Sequence, residues 1–144
     1  MIKRFIFDLD GTLIDKVDFS ELVKRKLKEF NYQYTDTQFR QYMQAMQNYE
    51  KEFSKYTFDD YFEYIHQISM IDFSPEYMKS FLFSATKCVP DFVHQDVISA
   101  LNYLKEKYEL VVLTNFFKDV QLLRMENVGI PFIFDDVIGG GHIY

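Results

Sequence analysis

Asp8 and Asp10, one residue apart near the start of the chain, are the residues best suited to chemistry. They lie in Asp8-Leu9-Asp10-Gly11-Thr12-Leu13, directly after the apolar run Phe5-Ile6-Phe7. Two carboxylates this close repel each other unless a cation or a proton sits between them. A hard cation such as magnesium takes oxygen ligands and commonly keeps part of its water shell. A carboxylate can also attack phosphorus and form an acyl phosphate. Gly11 lets the backbone turn tightly and approach a ligand closely.

Thr114-Asn115 forms a second polar tip, after the apolar run Leu110-Val111-Val112-Leu113. Taken alone it reads as a strand cap. Other reactive types are sparse. His66, His94 and His142 have no triad partners recognisable in sequence and read as surface or satisfied side chains. Cys88 is the single cysteine, which excludes a disulfide or a cysteine-based zinc site within one chain. It reads as a small packed side chain. Asp135-Asp136 lies in the approach to an expected strand and reads as structural rather than metal-binding.

The elements that position these residues fall into three patterns. Arg4-Phe5-Ile6-Phe7 reads as a buried strand, covered on both faces. From about Asp15 to Val89, four amphipathic helices are expected. Phe19, Leu22, Val23, Leu27 and Phe30 follow helical spacing, with Asp18 as candidate N-cap. Thr35 and Gln38 form a capping-box pattern, followed by a stripe of Phe39, Tyr42, Met43, Met46, Tyr49 and Phe53. Thr57 begins a third helix carrying Tyr61, Phe62, Ile65 and Ile68. Ser74-Pro75-Glu76 starts a fourth, with Ser at N-cap and Pro at the first helical position. Beyond Pro90 the pattern is α/β: a helix lined by Val97, Ile98, Leu101 and Leu104, a strand at Leu110–Leu113 ending at Thr114-Asn115, and a helix from about Lys118 to Asn127. A strand at Asp136-Val137-Ile138 follows, ended by Gly139-Gly140-Gly141. Alternating strands and helices argue for a parallel sheet with right-handed crossovers. Such sheets carry their sites beyond the carboxyl ends of the strands, where the aspartate loop falls.

The chain has 144 residues, enough for one domain or a small core with an insert, and its net charge is -6. That charge argues against a nucleic-acid backbone as main partner, but not against a phosphorylated small molecule bound beside a cation. The apolar start is too short for a signal peptide or a membrane span, so a soluble, cytoplasmic protein is expected. The 16 Phe and 11 Tyr, without any Trp, are expected to fill the core of the helical region. A stacking surface for a nucleobase is the alternative.

The run from Asp8 to Leu13 resembles the first motif of the haloacid dehalogenase-like (HAD) phosphohydrolases, and Thr114-Asn115 resembles their second. The resemblance implies a Rossmann-like α/β core of at least three parallel strands, formed by residues 1–14 and 90–144, with residues 15–89 as an inserted helical cap that closes over the site. It implies that Asp8 is the nucleophile and a magnesium ligand. Asp10 protonates the leaving group, then activates water, and its carbonyl also binds magnesium. Gly11, Thr12, Thr114 and Asn115 would contact phosphate. Many members carry glycine where this chain has Phe116, so a narrower pocket is expected. Lys16, Lys24 and Tyr56 are candidates for contacting substrate. The implied activity is magnesium-dependent hydrolysis of a small phosphorylated metabolite through an aspartyl-phosphate. Dehalogenation is disfavoured because it does not need Asp10, while phosphonate hydrolysis and mutase chemistry stay open. The family's third motif, a Lys or Arg, would be expected just beyond Tyr144, and its further acidic cluster later still. The chain as given is therefore expected to bind magnesium weakly, to be poorly active or inactive, and to self-associate through an exposed sheet edge. A catalytically silent binding or assembly module is the alternative.

Overall fold

The computed structural model describes residues 1–52 and 57–140. Among residues named above, Phe53, Tyr56, Gly141, His142 and Tyr144 lie outside the described residues. In chain order the elements are β1 (Arg4–Phe7), α1 (Ser20–Glu29), α2 (Asp36–Glu52), α3 (Phe58–Ser69), α4 (Pro75–Lys87), α5 (Gln95–Lys105), β2 (Glu109–Phe117), α6 (Lys118–Asn127), a short 3₁₀ turn (Pro131–Ile133) and β3 (Asp136–Gly140). They form two compact units: Met1–Val17 with Pro90–Tyr144, and Asp18–Val89.

The first unit is α/β. Its three strands are parallel, in the order β1-β2-β3. Phe5 pairs with Leu110 and Phe7 with Val112, while Val112 pairs with Val137 on the other side. Leu110 and Val112 are fully buried, so β2 is the centre of the core. Leu9, Leu101, Met125 and Ile130 pack into the same core. Gly129 ends α6 with positive φ, and Ile130 N–H reaches back to the Met125 carbonyl, as a glycine-terminated helix requires.

Three expectations need correction here. β1 is not covered on both faces: Phe5 and Phe7 pack against the core, while Arg4 and Ile6, on the other face, are exposed, Ile6 at 60%. Among the described residues β1 is also an edge strand, paired with β2 alone. β2 does not end at Thr114-Asn115. It runs on to Phe117 through an irregularity after Leu113, because Phe116 and Phe117 are both buried. Gly139 does not end β3 either. A Cβ at this position would lie 2.6 Å from both Cα and N of Lys118, so only glycine lets β3 pass the start of α6.

The second unit holds α1 to α4, and its local signals are physical ones. Thr35 and Gln38 cap α2 reciprocally: Gln38 N–H donates to Thr35 Oγ1 at 3.2 Å, and Thr35 N–H to Gln38 Oε1 at 2.9 Å. Thr57 Oγ1 accepts from Asp60 N–H at 3.1 Å and caps α3. Asp18 is not the N-cap of α1, which is Phe19; instead its carboxylate accepts from Ser20 N–H at 2.8 Å. Ser74 takes the N-cap position of α4 without a side-chain capping bond. Aromatic rings fill the interior. Tyr49 meets Tyr61 edge-on at 5.0 Å, and Tyr32 meets Phe73 at 4.9 Å. Ile68, expected on the buried stripe of α3, is exposed, and so is Cys88, expected to be packed.

Gly139→Ala is expected to destabilise the α/β unit by about 1–3 kcal/mol, the usual cost of overpacking. Urea unfolding of the two proteins side by side measures this. An unchanged midpoint would show that α6 yields to the added methyl.

Candidate active site

The loop after β1 is fastened by its apolar residues. Leu9, Leu13 and Ile14 are buried, at 0%, 4% and 1% exposure, while Asp8 is exposed. The Leu9 carbonyl accepts from the N–H groups of Thr12, Leu13 and Ile14, and Gly11 N–H donates to the Ile14 carbonyl at 2.7 Å. Gly11 makes the turn possible at φ +75, a conformation costly for side-chain-bearing residues. A Cβ there would also meet Lys16 Cε at 3.0 Å, so the Lys16 stem lies over the loop. Asp8 Oδ1 accepts from Leu9 N–H at 2.8 Å. Among the described residues no cation pairs with Asp8.

Asp10 is held differently. Arg124, on α6, donates from Nη1 to Asp10 Oδ2 at 3.1 Å and from Nη2 to Asp10 Oδ1 at 2.7 Å. The same guanidinium forks onto Asp91, with Nε to Oδ2 at 3.1 Å and Nη2 to Oδ1 at 2.8 Å. Its side chain is 7% exposed, that of Asp91 0% and that of Asp10 40%. Burial alone would weaken the charged form of Arg124. Hydrogen bonds and charge from Asp91 and Asp10 outweigh it and hold the group protonated above the ordinary arginine value.

Gln121, one turn earlier on the same face of α6, completes the cluster. Its Oε1 accepts from Arg124 Nη1 at 3.1 Å. Its Nε2 donates to Thr114 Oγ1 at 2.9 Å and lies 3.3 Å from Asp10 Oδ2. Thr114, on β2, and Asp10, on the loop after β1, are thus joined through one buried amide.

Of the residues the sequence singles out, Asp10 and Thr114 are brought together, and Asp8 and Gly11 stand on the same loop as Asp10. Thr12 and Asn115 are exposed, and Phe116 is buried. Asp135 and Asp136 are engaged elsewhere. Asp135 Oδ2 accepts from Leu110 N–H at 2.8 Å, and Asp136 Oδ1 accepts from Val137 N–H at 2.8 Å. His66 shares a hydrogen bond with the Ile71 carbonyl, and His94 meets exposed Asp15 at 3.0 Å. Gln121, Arg124 and Asp91 were not anticipated. Their one sequence signal is the three-residue spacing of Gln121 and Arg124 on a helix that begins at a strand tip.

The donor set suits a hard cation. Among the described residues no hydrogen bond ends on Asp8 Oδ2 or on the Asp10 carbonyl oxygen, so both oxygens can serve as ligands. No cluster of three or more acidic, histidine or cysteine side chains occurs among the described residues, so the remaining positions on such a cation fall to water and substrate.

Comparison with known proteins adds the following. A family model for haloacid dehalogenase-like hydrolases matches residues 2–143. No curated protein matches the chain. Among solved structures, YfnB of Bacillus subtilis, described as a HAD-hydrolase bound to magnesium, superposes with TM-score 0.68 at 18% identity, over 96% of this chain and 65% of that one. A provisionally assigned β-phosphoglucomutase from Thermotoga maritima gives 0.61 at 21% identity, over 99% and 63%. A predicted phosphoglycolate phosphatase from Haemophilus somnus gives 0.56 at 22%, over 99% and 64%. At such identities the likeness is one of fold. The chain spans less than two thirds of the length of each.

Arg124→Met is expected to cost about 3–5 kcal/mol of stability, because it strands the buried Asp91 carboxylate without its counter-charge. Adding Asp91→Leu should recover a large part, since an apolar pair can replace a buried ion pair at little net cost. Urea unfolding of the single and double variants is the measurement. A single variant as stable as the parent would show that water reaches Asp91.

Proposed function

The chain belongs to the haloacid dehalogenase-like hydrolases, and from that membership we propose that its aspartate loop carries out magnesium-dependent hydrolysis of a small phosphorylated metabolite. The observation that carries the reading is the pairing of an exposed carboxylate, Asp8, with a held one, Asp10, linked through Gln121 to the Thr114 hydroxyl.

Asp8 attacks the phosphorus of a phosphomonoester. A bond forms between its carboxylate oxygen and phosphorus as the bond to the leaving oxygen breaks. Asp10 delivers a proton to that oxygen. It then takes a proton from water as the water attacks the phosphorus of the aspartyl-phosphate, which releases inorganic phosphate and restores Asp8. Thr114 donates its hydroxyl hydrogen to a phosphoryl oxygen, with Gly11, Thr12 and Asn115 as the remaining phosphate contacts. Asp8 and the Asp10 carbonyl would hold magnesium, whose charge offsets the repulsion between carboxylate and phosphate. The division of labour fits the geometry, because the nucleophile must be open to substrate and the proton carrier must be held in place.

The four-helix unit supplies a cap that selects substrate, over residues 15–89. The names of the structural relatives, a β-phosphoglucomutase and a phosphoglycolate phosphatase, support a phosphorylated small molecule as substrate class. No helix among the described residues is long and apolar enough to cross a membrane. Exposed Ile6 on the edge strand β1 offers a route to self-association.

One observation favours a second reading, a catalytically silent binding or assembly module. Among the described residues no third acidic side chain joins Asp8 and Asp10, and no cation pairs with Asp8. The chain alone should then bind magnesium weakly and turn over poorly or not at all.

Hydrolysis of p-nitrophenyl phosphate with and without magnesium separates the readings. Slow, magnesium-dependent turnover that disappears in Asp8→Asn is the expected result. Turnover at the parent rate in that variant would sink the nucleophile, and silence of the parent chain would favour the module. Asp10→Asn should lower turnover by about 10²–10⁴-fold, and least for substrates with good leaving groups. An equal loss across leaving groups would remove the acid role.

A further inference from the structure

We propose that Arg124 is a positioning residue for this site. Anchored by Asp91 and aided by Gln121, it fixes the Asp10 carboxylate relative to the Thr114 hydroxyl and does not itself bind phosphate. The inference rests on the phosphatase reading above.

The first argument is saturation. An arginine offers five N–H donors in a rigid planar fork. Nε donates to Asp91, Nη1 to Asp10 and Gln121, and Nη2 to Asp10 and Asp91. Every donor is used, so none remains for a phosphoryl oxygen. Arg124 therefore does not stand in for a charge-neutralising cation beside Asp8, although it is the buried cation nearest to the loop's chemistry.

The second argument is the direction of the anchoring. Asp91 is fully buried, and both its oxygens accept from Arg124, which sets the guanidinium plane independently of Asp10. Asp10, 40% exposed, is the less enclosed partner and receives this orientation. A bidentate guanidinium fixes the plane of a carboxylate as well as its place.

The third argument concerns Gln121. Arg124 can only donate, so the amide of Gln121 must turn its oxygen toward Nη1. Its NH₂ then faces Asp10 and Thr114. Thr114 Oγ1 accepts from this NH₂, which leaves the hydroxyl hydrogen to be donated to something else. Among the described residues it has no other partner, so a phosphoryl oxygen is its natural acceptor. One buried carboxylate thus orients, in sequence, a guanidinium, an amide, the proton-carrying aspartate and the phosphate-binding hydroxyl.

Arg124→Lys tests this, because lysine keeps the charge and loses the fork. Gln121→Met is the second variant, free of any charge change. Each is assayed on the full chain with magnesium, using phenyl phosphate and p-nitrophenyl phosphate, after circular dichroism has checked folding. A misplaced Asp10 should lower kcat for phenyl phosphate by about 10²-fold in Arg124→Lys. The loss should be clearly smaller for the better leaving group, with KM little changed. Gln121→Met should lose kcat and raise KM for both substrates, through Thr114. A merely structural Arg124 would reduce both substrates equally, and that result overturns the proposal. So does unchanged turnover, or a gain, which would mean the fork holds Asp10 away from the reaction.

A readout independent of turnover is nitrogen-15-edited NMR of the Arg124 Nη hydrogens. The doubly forked group should show separate, slowly rotating signals; in Asp10→Asn the Nη1 signals should shift, while the Nη2 signals held by Asp91 stay resolved. Averaged signals in the parent chain overturn the clamp whatever the turnover. If the parent hydrolyses neither ester, the phosphatase reading fails for this chain, and the NMR result alone decides whether Asp10 is positioned.

Discussion

The guanidinium of Arg124, buried between two carboxylates, is the interaction on which the candidate site depends. Removing such groups from water costs several kcal/mol per ion, and mutual attraction offsets this only when every hydrogen bond is made. Here each guanidinium hydrogen has an acceptor, and Asp91 is bound at both oxygens. Two carboxylates thus share one guanidinium, with Asp10 on the exposed side of the cluster. A buried network of this kind contributes less to stability than to uniqueness of position. A carboxylate that must give and take a proton at a fixed place needs that uniqueness.

The fold brings the parts together through two close approaches. Leu9, Leu13 and Ile14 pin the aspartate loop into the core from below, so that Asp8 and Asp10 are carried at its rim. On the other strand, β2 continues through buried Phe116 and Phe117 and passes straight into α6. With no intervening loop, Gln121 and Arg124 stand on successive turns of a short helix whose start is locked against β3 by the missing side chain of Gly139. Asp91 enters from just after the helical unit's last residues, where the chain rejoins the α/β unit. Three separate stretches of sequence thus converge on one cation.

What the sequence disclosed and what it hid divide along the range of the interactions involved. The aspartate loop, the capping pair Thr35 and Gln38, the cap at Thr57 and the stop at Gly129 are local devices, and each is present in the structure. The α/β class with parallel strands was equally legible, because alternating apolar runs and amphipathic segments report it directly. Arg124 was not legible. A lone arginine on an amphipathic helix reads as a solvated charge, and its partners lie 33 and 114 residues away. Asp91, just after Pro90, carries no local pattern that points to it either. The extension of β2 past Thr114 was hidden because Phe116 and Phe117 are fixed by tertiary burial rather than by their own pattern. Exposure of Ile6 shows that one face of β1 is uncovered among the described residues, which the continuous apolar run Phe5-Ile6-Phe7 does not announce.

The most direct test of the central claim, that Asp8 is the atom-transferring carboxylate of a phosphoryl-transfer loop, is chemical trapping of the covalent intermediate. The chain is mixed with magnesium and p-nitrophenyl phosphate, quenched in acid, and reduced with borohydride. Peptide mass spectrometry then locates any aspartyl-phosphate as homoserine. The account predicts conversion at position 8, absent in Asp8→Asn and unaffected in kind by changes to Arg124. Conversion at Asp10 or another carboxylate, or turnover of the ester with no reducible intermediate anywhere, would contradict it.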